Sequence, residues 1–136
     1  MLVGSCKLIE FPSIEDSRGV LVFAEAQRHV PFEIKRLFYI FNTPAGATRG
    51  GHAHRRTEHV LICLSGSFDV VVDDGTNKLQ FALNTPSVGL YVPPLIWDTE
   101  FNFRPGSICL VLASDYYEEA DYCREYAEFI RQVSAR

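Results

Sequence analysis

Three of the four histidines in this chain fall within eight positions, as His52-Ala53-His54 behind Arg49-Gly50-Gly51 and as His59 after Glu58. In an extended strand, side chains two residues apart point to the same face. An extended segment here projects His52 and His54 side by side. Imidazoles titrate near neutral pH, so a pair of them suits proton transfer or metal ligation better than packing. The competing reading is two surface histidines on a loop after Thr43-Pro44-Ala45-Gly46. The apolar run Val60-Leu61-Ile62-Cys63-Leu64 weighs against it, because it draws the neighbourhood into a core.

The elements that must hold such a pair read as β-strands. Segments 20–24, 34–41, 60–64, 68–72, 78–83, 89–92 and 107–113 are short, rich in β-branched and aromatic residues, and bounded by Gly, Pro, Asn or Asp. Asp74-Gly75, between Val70-Val71-Val72 and Leu79-Gln80-Phe81, signals a hairpin, since Gly tolerates the positive φ of a tight turn. Closely spaced strands without intervening helices predict an all-β sandwich or barrel. Only the end reads as helical. From Glu118 onward, Tyr122, Tyr126, Phe129, Ile130 and Val133 recur at three- and four-residue steps, which predicts one helix laid on the outside of the β domain.

A chain of 136 residues fits a single domain, 1–136, with a substantial core. A net charge of -4 without any Lys/Arg run argues against nucleic acid as a partner. Cys6, Cys63, Cys109 and Cys123 show no CxxC spacing, and two of them lie in apolar runs, so they read as buried free thiols in a reducing compartment. Leu-Val-Gly-Ser before Cys6 lacks the charged start and apolar stretch of a signal peptide. No window approaches the ~20 apolar residues of a membrane span. The expectation is a cytoplasmic protein that does not engage a membrane.

A β-barrel carrying this pattern resembles a cupin. Gly46, His52, His54, His59 and Gly66 stand close to the first cupin motif, and Pro93-Pro94-Leu95-Ile96-Trp97-Asp98 resembles the second. The likeness to one branch is closer. Asp16-Ser17-Arg18-Gly19, Ile34-Lys35-Arg36-Leu37-Phe38-Tyr39-Ile40-Phe41, Arg49-Gly50-Gly51-His52-Ala53-His54, Val88-Gly89-Leu90-Tyr91-Val92 and Leu112-Ala113-Ser114-Asp115-Tyr116-Tyr117 resemble the bacterial sugar 3,4-ketoisomerases that act on dTDP-4-keto-6-deoxyglucose. The resemblance implies a single jelly-roll-like cupin barrel with a C-terminal α-helix, working without a metal or other cofactor. It also implies a homodimer that exchanges N-terminal strands. The product would feed an aminotransferase making 3-amino-3,6-dideoxy sugars, such as those of O-antigen lipopolysaccharide.

Moving a ketone between neighbouring carbons needs a base, an acid and a partner for the oxygen that becomes negative. The resemblance makes His52 and His54 the acid/base pair and Tyr39 a third catalytic candidate. Tyr39 shares a face with Lys35, Leu37 and Phe41 if that segment is a strand. Arg49 is the leading phosphate ligand, since a guanidinium fork matches phosphate oxygens. Arg18, Lys35, Asp98 and Arg124 complete the expected substrate contacts, and Trp97 and Tyr91 are either pocket walls or core. Two positions depart from the family pattern: Asp98 stands where relatives carry His or Arg, and His59 where they carry Gln. These departures open an alternative, a metal-dependent cupin holding an ion on His52, His54, His59 and Asp98. A further alternative is a dTDP-sugar epimerase, which leaves the ketone in place.

Overall fold

A computed structural model describes residues 2–136. In chain order the strands are β1 Lys7–Glu10, β2 Ser13–Asp16, β3 Gly19–Val22, β4 Arg36–Phe41, β5 Arg49–His54, β6 His59–Ser65, β7 Phe68–Asp73, β8 Lys78–Leu83, β9 Val88–Val92, β10 Trp97–Phe101, β11 Ile108–Ala113 and β12 Tyr122–Cys123, followed by helix α1, Tyr126–Ser134. They form two five-stranded sheets, ordered β1-β9-β6-β11-β4 and β12-β5-β10-β7-β8, with β2-β3 as a separate hairpin. All the ladders within these sheets are antiparallel. The architecture is therefore the jelly-roll-like β fold with a C-terminal helix that was expected, but as two facing sheets rather than a closed barrel.

Alternation along the strands divides the apolar residues into three layers. Leu61, Cys63, Phe68, Val70, Val72, Leu90, Val92, Cys109 and Val111 fill the space between the sheets. Val60, Ile62 and Leu112, on the opposite face of the first sheet, are covered by Phe11, Val30 and Phe32. Ala53, on the outer face of the second sheet, packs with Cys123 and Phe129, and with Trp97, Ile130 and Val133. β6 is thus buried on both faces, which is why its sequence runs apolar instead of alternating. All four cysteines are buried free thiols. Among the described residues, no helix is long and apolar enough to cross a membrane.

The Asp74-Gly75 signal marks the β7–β8 hairpin. Asp74 Oδ1 accepts from the backbone N–H groups of Thr76 and Asn77, and Gly75 takes φ 93°. The tail departs from expectation. Helix begins only at Tyr126, while Glu119–Asp121 is a 3-10 turn and Tyr122–Cys123 is a strand paired with His54 and Ala53 of β5. Tyr122 falls on the helical stripe by spacing, but the exposed edge of β5 offers its backbone hydrogen bonds that a helix would forgo.

Candidate active site

Between the sheets, at one end of the sandwich, lies a cavity of about 480 Å³. That is within the range of small-molecule sites. β5 lines it with His52 and His54, whose rings sit 5.0 Å apart centre to centre, and β6 adds His59, 4.2 Å from His54. Asp98 and Glu100 of β10 line it beside them, with Asp98 directly across the ladder from His52.

Gly50 and Gly51 explain how consecutive residues serve one cavity. Both take positive φ, 75° and 73°, a conformation that favours glycine. The β5–β10 register shifts beside them. This irregularity breaks the two-residue alternation, so Arg49 lines the cavity along with His52 and His54. A Cβ on Gly50 would lie 2.9 Å from the Asp98 carbonyl oxygen and 3.0 Å from both Asp98 Oδ1 and Glu100 Oε1. Glycine there is what lets the two carboxylates approach the strand.

His54 is held by Asp121. Its Nδ1 lies 3.1 Å from Asp121 Oδ2, and both side chains are 3% exposed. Asp121 also accepts from Thr57 Oγ1 at 2.5 Å and from the Arg56 backbone N–H at 2.7 Å. Those donors hold the carboxyl below the usual carboxylate range against the opposing effect of burial. An ionised Asp121 accepts from Nδ1–H, which leaves Nε2 of His54 as the basic nitrogen. Burial, then, keeps His54 neutral by pushing its pKa below the ordinary 6.5, although Asp98 and Asp121 pull the other way. His59 is driven well below 6.5, first by burial and then by the His54 and Arg36 charges.

Tyr122 stands against both imidazoles, with ring centres 5.1 Å from His52 and 4.3 Å from His54. The Arg124 guanidinium lies 4.2 Å from the centre of its ring. Arg124 also donates to Glu119 at 2.7 Å and 3.0 Å, lowering that carboxyl to about 2. The cavity thus carries imidazoles and paired acids at its walls and three guanidinium groups, Arg36, Arg49 and Arg124, along its lining.

Of the expected site residues, His52, His54, Arg49, Asp98 and Arg124 come together, and Tyr39, Lys35 and Arg18 do not. Tyr39 is 60% exposed on the outer face of β4, where it lines a shallow groove with Phe41 and Pro44. Arg36, Phe38 and Ile40 of β4 face the cavity instead. Tyr39 does share its face with Leu37 and Phe41, but that face is turned outward. Lys35 precedes β4, with its ammonium 5.7 Å from the centre of the Tyr116 ring. Arg18 sits on the β2–β3 turn, bound to Asp16 at 2.6 Å and exposed over 88% of its side chain. Trp97 packs under α1 against Tyr126 and Phe129, and Tyr91 donates to Glu58 at 2.6 Å. His52, His54, His59 and Asp98 all line the cavity, yet among the described residues no group of three or more His, Cys, Asp or Glu side chains has the geometry to hold a metal ion. Asp121, Glu100, Tyr122 and Arg36 belong to the site and were not anticipated.

The buried neutral imidazoles set a sign for acid stability. Below pH 6.5 an unfolded chain binds protons on His54 and His59 that the fold resists, so their contribution is full above 6.5 and is lost as pH falls. Glu100, raised by burial and by Asp98, acts in the opposite sense. The expectation is therefore a difference. His59→Gln should flatten the stability loss below pH 6.5 by up to about 1.4 kcal/mol per pH unit. Urea unfolding of both proteins at several pH values reads this directly, and parallel curves would contradict a neutral His59.

Comparison with known proteins gives one consistent family. The family model described as FdtA: WxcM-like, C-terminal matches residues 4–134. A protein of Aneurinibacillus thermoaerophilus named TDP-4-oxo-6-deoxy-alpha-D-glucose-3,4-oxoisomerase is 46% identical over 128 residues, covering 94% of this chain and 92% of its own. The TDP-quinovose 3,4-ketoisomerase WlaRB of Campylobacter jejuni superposes with TM-score 0.89 at 47% identity, over 93% of this chain and 97% of its own. A mutant of the 3,4-ketoisomerase QdtA from Thermoanaerobacterium thermosaccharolyticum, in complex with TDP-4-keto-6-deoxyglucose, superposes with TM-score 0.94 at 41% identity, over 96% and 95% of the two chains. The rmlC epimerase of Mycobacterium tuberculosis shares the fold alone, at 18% identity and TM-score 0.76.

Proposed function

The chain belongs to the FdtA family (WxcM-like, C-terminal), and we propose that it is a sugar-nucleotide isomerase that moves the ketone of dTDP-4-keto-6-deoxyglucose from carbon 4 to carbon 3. The observation that carries the chemistry is a pair of imidazoles facing a sugar-sized cavity, one of them held by a buried carboxylate. A neutral imidazole takes the proton from carbon 3, made acidic by the adjacent carbonyl, and the carbon 4 oxygen gains charge as an enediolate forms. The oxygen on carbon 3 then gives up its proton as the new carbonyl closes, while carbon 4 receives one proton and its oxygen takes up the other to become a hydroxyl. Atoms and electrons balance without an outside oxidant, so two residues able to give and take protons suffice. His52 and His54 are assigned those roles.

NMR of the sugar after incubation tests the reading. Ketone migration to carbon 3 supports it, whereas inversion at carbons 3 and 5 with the ketone unmoved would replace it with epimerisation. The epimerase alternative rests on fold alone and is not favoured.

Arg49 and Arg124 are the proposed phosphate ligands, with Asp98 toward the sugar. dTDP at 100-fold its Kd should stabilise the fold by about 2.7 kcal/mol. Arg49→Ala should weaken dTDP binding at least tenfold, because a bidentate charge-assisted contact is lost. Calorimetric titration checks this, and unchanged affinity would remove Arg49 from the phosphate site.

A homodimer is proposed as well. Leu37, Tyr39 and Phe41 form an apolar row on β4, 57–60% exposed, and Ile14, Val20 and Leu21 of the β2–β3 hairpin are exposed too. A partner copy covering such a surface with exchanged N-terminal strands would also bring Arg18 to a cavity, that of the neighbouring subunit. Sizing that finds a monomer at micromolar concentration would remove this role. A cytoplasmic location and supply of 3-keto sugars for amination, as in O-antigen lipopolysaccharide, follow as part of the same reading.

A further inference from the structure

The second sheet places two carboxylates in contact. Asp98 and Glu100 are both on the inner face of β10, each 5% exposed, and Asp98 Oδ1 and Glu100 Oε1 crowd the same point beside Gly50. Glu100 Oε2 is buried without a hydrogen-bond partner, and so are His59 Nε2 and Arg36 Nε. All three orphaned atoms belong to residues lining the one cavity. Buried polar atoms are normally paired, so a cluster of orphans marks groups arranged for something that enters.

Two adjacent carboxyl groups cannot both be charged in a dry site; they keep one proton between them. We propose that Asp98 and Glu100 share a single proton and that Asp98 presents it, as a hydrogen-bond donor, to the sugar oxygen that becomes negative while the ketone migrates. This rests on the isomerase reading and supplies the oxygen's partner that the two imidazoles leave unassigned. Asp98 lies across the ladder from His52, so proton transfer and charge stabilisation share one patch of sheet. Glu100 acts through Asp98 and is a positioning residue.

The surroundings agree with a retained proton. Burial and the Asp98 charge raise the Glu100 carboxyl well above its ordinary value, and only Arg49 opposes them. Cys109 faces Glu100 from β11, and Cys6 faces Asp98 from the N-terminal segment. Burial and these acids push both thiols up, Cys6 to about 12, so neither competes for charge. His52 and His54 are the imidazoles on the adjoining β5, and Val70 and Val72 of β7 pair with Glu100 and Asp98 from the other side.

Infrared difference spectra of the unliganded protein at neutral pH, with Glu100→Gln as the reference, should show a protonated carboxyl band that the variant loses. Absence of the band overturns the proposal whatever reaction the protein performs. In kinetics, Glu100→Gln removes the shared proton and leaves Asp98 with no hydrogen to present. It should lower kcat about 10²–10³-fold, as for loss of one oxyanion donor, with KM and dTDP affinity little changed. Adding Asp98→Asn to Glu100→Gln restores an N–H donor and should recover at least tenfold in kcat. The alkaline limb of the wild-type pH profile should vanish in that double variant. Retained kcat in Glu100→Gln, or no recovery in the double variant, overturns the assignment. Failure of the wild-type protein to move the ketone at all would instead overturn the isomerase reading.

Discussion

His52→Asn and His54→Asn are each expected to lower turnover by about 10²–10⁴-fold, the range for removing a general acid or base. The two side chains emerge from one face of β5, their ring centres 5.0 Å apart, so one bound sugar can meet both. Asparagine keeps polarity and roughly the volume but takes no proton at neutral pH. Binding of dTDP should change little, because the proposed phosphate contacts come from Arg49 and Arg124. Single-turnover rates and dTDP titrations on both variants check this. Rapid ketone migration by both would remove the pair from the mechanism. Loss of wild-type activity to a chelator, restored by one divalent ion, would reassign the imidazoles as ligands.

Asp121→Asn is expected to cost nearly as much, about 10²–10⁴-fold in kcat, by analogy with the buried aspartate that orients a catalytic imidazole. The carboxylate accepts from Nδ1 of His54, from Thr57 and from the Arg56 backbone. The Arg56 backbone N–H can only donate, so it keeps the amide oxygen at the Oδ1 position. The amide nitrogen then takes the Oδ2 position, which faces both Nδ1 and the Thr57 hydroxyl, a group able to accept instead. An amide in the same place offers N–H where Nδ1 now donates, and the imidazole answers by carrying its proton on Nε2 instead. His54 would then meet the substrate with a hydrogen and not a lone pair. The expected signature is a lower kcat with the KM preserved and a displaced acid limb in the pH profile. A small rise in KM with kcat intact would mean that Asp121 only shapes the loop.

The histidine pair was legible because a strand's two-residue period is rigid, and His52 and His54 obey it. The same period misled at Tyr39. It states which residues share a face, and both faces of β4 are apolar, with Phe38 and Ile40 on one and Leu37, Tyr39 and Phe41 on the other. Nothing in that pattern says which face closes on the cavity. Arg49 fell in the site for a reason alternation would deny, since Gly50 and Gly51 break the period beside it. Asp121 stands 67 residues from the imidazole it holds, inside a stripe that reads as helix. Glu100 carried a weak signal: Asp98 and Glu100 are spaced as His52 and His54 are, and a strand after the Pro93-Pro94 turn would have aimed both inward.

The tail does more than cover a sheet. Phe129 of α1 closes on Ala53 and Trp97, β12 completes the edge of β5, and Asp121 lies immediately before β12. A nine-residue helix holds its shape only while it is docked. Each time it lifts away and β12 unzips with it, the His54 latch is released, although the sandwich behind it remains folded. Local opening of this kind costs less free energy than global unfolding. If His54 is the base of the proposed reaction, the fraction of molecules ready to react is therefore set by the last fifteen or so residues, and the working temperature of the chemistry by their grip rather than by the melting of the core.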